Sequence, residues 1–312
     1  MTFRYTGFIL GVSLLTASAV QADLREHFDA IEVRTGALYL QRSNFADDVI
    51  FSTSSAELTA QDVQQGEDTG WELSLFGQIS DCKRIEFRYF HLDGFHFGES
   101  YTDPGGIVFN TQPFGSGLVD FPVAANLEYG AELTNYEINS RCAVNPDLEW
   151  FWGVRHIRSR DQLAGYFERI GNPGTNNHVA FGANNYLTGV QCGLDAVLAD
   201  VGPFSLEALV KAGLYHNQVQ TSYSETQGAI SVVARKDVPA FVGELQLTGV
   251  YHINSSASCR IGYQFLVMTN IATAPNQVTN SVRFPAPSTV AMATDSPIYQ
   301  GIFAQLDFYL YD

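Results

Sequence analysis

From Asn185 to His216, two long runs of alternating large-apolar and small or polar residues flank a tight Asp200-Val201-Gly202-Pro203 turn. Thr188, Val190, Cys192, Leu194, Ala196 and Leu198 share one face of the first run. Phe204, Leu206, Ala208, Val210, Ala212 and Leu214 share one face of the second. A period of two around a Gly-Pro turn reads as a β-hairpin. Its strands are about twice the usual five or six residues, roughly what a tilted strand needs to cross a bilayer.

The remaining chain repeats this pattern. Alternating segments occur at Ile31–Arg42, Gly70–Gln78, Lys83–Leu92, Ala125–Ser140, Asp147–Arg158, Ala240–Ile253, Ser258–Met268 and Pro297–Tyr311, making ten strands with the hairpin. Long polar connections (Ser43–Thr69, Asp93–Val123, the stretch before the hairpin, Asn217–Pro239 and Thr269–Ser296) alternate strictly with short turns. An outer-membrane barrel segregates its connections in this way, long outside and short on the periplasmic side, with an even strand number. The expected fold is therefore an all-β, antiparallel up-and-down transmembrane β-barrel of about ten strands, twelve being the alternative count. A soluble sandwich is the competing architecture.

The N-terminus agrees with export. Met1–Ala22 carries Arg4, an apolar run and a small-residue end, the layout of a signal peptide, which leaves residues 23–312 for the barrel. No later segment is apolar for long enough to form a transmembrane helix. Only 16% of the residues are charged and 13% are aromatic, low and high respectively for a soluble surface. The net charge of −16 argues against a nucleic-acid partner.

Applying one rule to each strand, apolar face to lipid and polar face inward, gives a set of lumen-lining candidates. These are Arg84, Glu86, Arg88, Glu128, Glu132, Arg155, Asp195, Glu207, Lys211, Glu244, Arg260 and Asp307. In the fourth strand the rule turns Leu127, Tyr129, Ala131 and Leu133 toward lipid and Glu128 and Glu132 inward. A charge facing lipid at mid-depth costs about 2–4 kcal/mol, enough to enforce such a rule. Barrels of about eight strands are filled by side chains and open channels belong to sixteen or more, so ten strands suggest a filled or narrow lumen.

Several segments resemble a known family. Asn185–Asn217, Phe241–Gln277 and the closing YQGIFAQLDFYLY are similar to the second half of the planctomycete β-barrel porin family, type seven. GQISDCKRIEFRYFHLDGF and the Asn126–Ile157 region are similar to its first half. The resemblance implies an outer-membrane barrel with porin-like transport. The chain ends on Asp312, one residue past the aromatic Tyr311, whereas barrels commonly end on the aromatic that the assembly machinery reads.

Three functions follow as expectations: porin-like passage of small polar solutes or ions, a structural or adhesive barrel with a plugged lumen, or a rim-site hydrolase. The last would use His91, Asp93 and His96, or His156 and Asp161, near outer strand ends. No nucleophile, zinc or phosphate-loop motif occurs, so no enzyme activity, cofactor or metal is expected. Acids such as Asp62, Asp68 and Asp295 in external loops leave weak divalent-cation binding as an option. Cys82 and Cys142, at the periplasmic ends of neighbouring strands, are candidates for a disulfide. Expected partners are outer-membrane lipid, small polar solutes or ions, and the barrel assembly machinery.

Overall fold

The computed structural model describes residues 28, 30–43, 49–52, 57–64, 66–103, 108–109, 123–169, 176–226, 229–278 and 292–310. The leader Met1–Ala22 and the terminal Tyr311 and Asp312 lie outside the described residues. The first strands are β1 (Ala30–Ser43), β2 (Val49–Ser52), β3 (Glu57–Thr59), β4 (Gly66–Ser80), β5 (Lys83–Asp103) and β6 (Val108–Phe109). They are followed by β7 (Val123–Asn145), β8 (Leu148–Arg169), β9 (Asn176–Val201) and β10 (Phe204–Glu225). The last are β11 (Ile230–Asn254), β12 (Ala257–Met268) and β13 (Ile298–Leu310).

Ten of these close a barrel in the order β1-β13-β12-β11-β10-β9-β8-β7-β5-β4, because β1 pairs antiparallel with both β13 and β4. Closure leaves no unpaired edge, which a bilayer without water demands. Short turns close one end, and at Gly202 the turn needs φ +63°, a conformation that glycine adopts without steric cost.

Several strands run well past their expected ends. Asn217–Pro239 is no loop: β10 and β11 stay paired up to Glu225 and Ile230. Similarly, β5 continues to Asp103 and β8 to Arg169. The segment Ser43–Thr69 contains β2, β3 and a short helix, Ala60–Gln64, and the small sheet β3-β2-β6 packs over the barrel's outer mouth. Thr269–Ser296 includes a second short helix, Ala274–Val278, wholly buried.

The extra length reflects two solvents along one strand. In β10 the outward residues run Phe204, Leu206, Ala208, Val210, Ala212, Leu214 and then His216, Gln218, Gln220, Ser222. The inward ones run Glu207, Leu209, Lys211 and then Tyr215, Asn217, Val219, Thr221, Tyr223 and Glu225. Parity never breaks, but the outward face turns from apolar to polar at Leu214, which is 70% exposed. Phe204 to Leu214 matches one tilted crossing of a hydrocarbon layer; beyond it the outward side chains are polar, as a wall in water requires, and apolar residues such as Val219 and Tyr223 join the interior. Aromatic contacts mark the edges of the band. The rings of Trp71, Tyr89 and Tyr136 meet at a tilt at 4.8 and 4.9 Å at the outer edge, and Phe204 meets Tyr251 at 4.9 Å at the other.

Candidate functional site

The lower lumen is a layer of buried ions. Arg88 donates to both oxygens of Glu72 at 2.8 and 2.9 Å, to Glu244 at 2.6 Å and to Glu137 at 3.2 Å. Lys211 lies 3.0 Å from Glu137 and 3.5 Å from Glu244. Arg155 contacts Glu244 at 3.0 Å and donates to Asn135 at 2.6 Å. Nearer the periplasmic turns, Arg141 binds Glu86, Glu149 and Asp195. Arg84 binds Glu32 and Glu149, Arg34 binds Glu32 and Asp307, and Arg260 binds Glu207 and Asp307. Phe76 lies under Arg34 and Arg84 at 4.9 and 4.8 Å. The gap left among Arg34, Glu72, Arg88, Arg141 and Lys211 measures about 10 Å³, room for about one water.

Arg84, Glu86, Arg88, Arg155, Asp195, Glu207, Lys211, Glu244, Arg260 and Asp307 thus all face inward. Glu128 and Glu132 do not: both lie exposed on the outer wall while Leu127, Tyr129, Ala131 and Leu133 are buried inside. This part of β7 stands above the lipid, where apolar residues belong in the interior. The layer's central Glu137 and Arg141 lie on that inner face too, as the unbroken alternation from Leu127 to Arg141 would have indicated. Glu32, Arg34, Glu72 and Glu149 are further members absent from the candidate set.

Above the ions the lumen is filled with a core that includes Leu38, Leu40, Phe90, Leu133, Phe181 and Tyr223, capped by Ile50, Leu58 and Val63 from the small sheet and its helix. Arg42 spans it, donating to Asp161 at 2.8 and 3.0 Å and to the Tyr129 hydroxyl, which also bonds Asp161. Burial pushes the Tyr129 phenol well above its ordinary range. The last loop folds into this space. Asn185 pairs with the backbone of Ala272 in both directions, at 2.8 and 2.9 Å, and Asn217 donates to the carbonyl of Asn270 at 2.9 Å.

The rim candidates separate. His91 Nε2 is 3.2 Å from Asp93 and its Nδ1 3.0 Å from the Thr134 hydroxyl, on the outer wall. His96 is exposed on that wall as well. His156 and Asp161 face opposite sides of β8, Asp161 being held by Arg42. Asp62, Asp68 and Asp295 accept backbone N–H groups of Thr59, of Thr69 and Gly94, and of Ser296, which occupies them in local turns; among the described residues no three metal-ligating side chains converge. Cys82 and Cys142 are free thiols. Pairing sets Cys142 opposite Lys83 rather than Cys82, and a one-residue offset aims neighbouring side chains to different faces.

A closed antiparallel wall, apolar outside between aromatic edges and ionic inside, defines a transmembrane β-barrel of the bacterial outer membrane. Among solved structures, the chain is similar to the outer membrane protease OmpT from Escherichia coli, with TM-score 0.52 and 9% identity over 90% of this chain and 97% of that one. The translocator domain of autotransporter NalP from Neisseria meningitidis aligns at TM-score 0.38 and 9% identity, covering 94% of this chain and 93% of that one. A FadL homologue from Pseudomonas aeruginosa aligns at 0.35 and 10%, covering 91% and 90%. At such identities the likeness extends to the fold alone. No family model and no curated protein matches the chain.

Proposed function

We propose that this protein is a closed-lumen outer-membrane barrel with a structural or adhesive role, its working surface being the wall and loops that stand outside the lipid. The observation that carries this reading is the ion-paired layer around Arg88, Glu137 and Glu244, in which the gap beside Arg88 and Lys211 measures about 10 Å³, room for about one water. Porin-like passage, which the family resemblance implies, would require that layer to come apart. Each buried pair broken on one side costs about 3–5 kcal/mol. Under this reading refolded protein in a planar bilayer gives no unitary current steps, and regular steps would overturn it. Substituting Glu128→Gln and Glu132→Gln leaves the bilayer record unchanged, since both carboxylates lie on the outer wall.

A rim hydrolase is the second reading, favoured by the hydroxyl–imidazole–carboxylate chain Thr134–His91–Asp93. Asp93 is 73% exposed, however, and water screens such a pair, so the barrel is proposed not to be an enzyme. Peptide or ester hydrolysis that disappears in His91→Ala would reverse this assignment.

A further inference from the structure

Arg158 and Arg160 project from the outer wall of β8, two residues apart on one face, so their Cα atoms are about 7 Å from each other. Strand pairing sets Arg158 between Thr134 and Tyr186, and Arg160 between Glu132 and Asn184. Two residues toward the membrane, His156 lies 6.4 Å from the ring of Tyr136, a member of the outer aromatic edge. Val154, the next outward residue, is exposed on the apolar band. The two guanidinium groups therefore stand at the level where the headgroups of the outer leaflet begin.

Their hydrogen bonding is incomplete. Arg158 lies 5.7 Å over the Tyr186 ring, and its Nε is buried with no acceptor among the described residues. Arg160 donates Nε to Asn184 at 3.2 Å, and its Nη1 is 3.9 Å from Glu132, beyond hydrogen-bond length. A guanidinium is a planar fork of donors that fits phosphate oxygens two at a time. In a chain of net charge −16, a pair of such forks at headgroup level, only partly engaged by Asn184, Glu132 and the Tyr186 ring, is a local exception.

We propose that Arg158 and Arg160, flanked by Tyr186 and Asn184, bind the phosphate of an outer-leaflet lipid headgroup. The site rests on the membrane placement of the barrel and is independent of whether the lumen is closed. Glu132 is the carboxylate facing it and weakens it.

Full-length refolded protein in detergent is titrated with phosphatidic acid and, separately, with diacylglycerol of the same chains, and bound lipid is counted by native mass spectrometry. Phosphatidic acid is expected to bind at least tenfold more tightly than diacylglycerol, and Arg158→Gln with Arg160→Gln is expected to remove that preference. Arg235→Gln, on the outer wall of β11, leaves it intact, and Glu132→Gln tightens binding severalfold. Equal binding of both lipids, an unchanged double variant, or an equal loss in Arg235→Gln overturns the proposal. So does displacement of the lipid by millimolar inorganic phosphate, which would make the occupant a soluble anion. Heat-modifiable migration on gels identifies folded variants, and Glu132→Gln supplies an independent arm if the double variant fails to fold.

Discussion

Glu137 has the most exacting position of any side chain in the lumen. It is fully enclosed and meets Arg88, Arg155, Lys211 and the amide of Gln191. Around it three cations, Arg88, Arg155 and Lys211, face three carboxylates, Glu72, Glu137 and Glu244. Glu137→Gln leaves those cations facing two carboxylates, and an uncompensated buried charge costs about 3–5 kcal/mol. Urea titration of the protein folded in vesicles, followed by tryptophan emission, should register that loss. Glu137→Leu combined with Lys211→Met removes both signs together and should cost clearly less, because apolar replacement of a whole buried pair is often neutral. Equal losses would mean that packing, and not charge balance, governs this site.

Each long strand carries its own record of where lipid stops. Val210 and Gln218 both point outward from β10, one below and one above the inversion at Leu214. Val210→Arg should lose about 2–4 kcal/mol in vesicles, whereas Gln218→Arg should stay within about 0.5 kcal/mol, as a surface change does; similar losses at both would move the boundary. The same inversion explains what was legible in the sequence. Strand number, the short turns and the faces of Lys83–Leu92 and of the Asn185–His216 hairpin followed from period-two alternation read inside the band. Glu128 and Glu132 fall on the wrong face under a lipid rule because their stretch stands in water, although Tyr136 and Ile138, further along the same face, give the correct parity. The ends of β10 and β11 were obscured for the same reason: Gln218, Gln220, Arg235 and Asp237 make a polar outer surface that reads as a loop. Asn185 and Asn217, which hold the last loop inside, carry no local signal, since their partners Ala272 and Asn270 are distant in the chain.

Taken whole, the molecule has two seals in series, the apolar core with its in-folded loop above and the ions below. Asn185→Ala removes the pairing with Ala272, and the Ala272 amide should then exchange with deuterium at least tenfold faster while the bilayer record stays silent. Adding Arg88→Ala, Arg155→Ala and Lys211→Ala together with Glu72→Ala, Glu137→Ala and Glu244→Ala to that variant removes both signs of the central layer, and the bilayer record should stay silent because the core of Leu38, Leu40, Phe90 and Phe181 still fills the lumen above. Steps with Asn185→Ala alone would show that the ions are no barrier. The polarity inversion also acts on the whole body. Because it recurs on neighbouring strands, His156 of β8 standing in register with Thr188 of β9 and His216 of β10, it works like the draught of a hull. Sinking the barrel by two residues would drag several charged and polar side chains past the interface together, at up to about 1 kcal/mol for each arginine or lysine there and rising toward about 2–4 kcal/mol the nearer it comes to mid-depth. Raising it would wet the aromatic edge at Trp71, Tyr89 and Tyr136. The height at which the protein floats in its membrane is therefore written into the long strands β7, β8, β10 and β11 themselves.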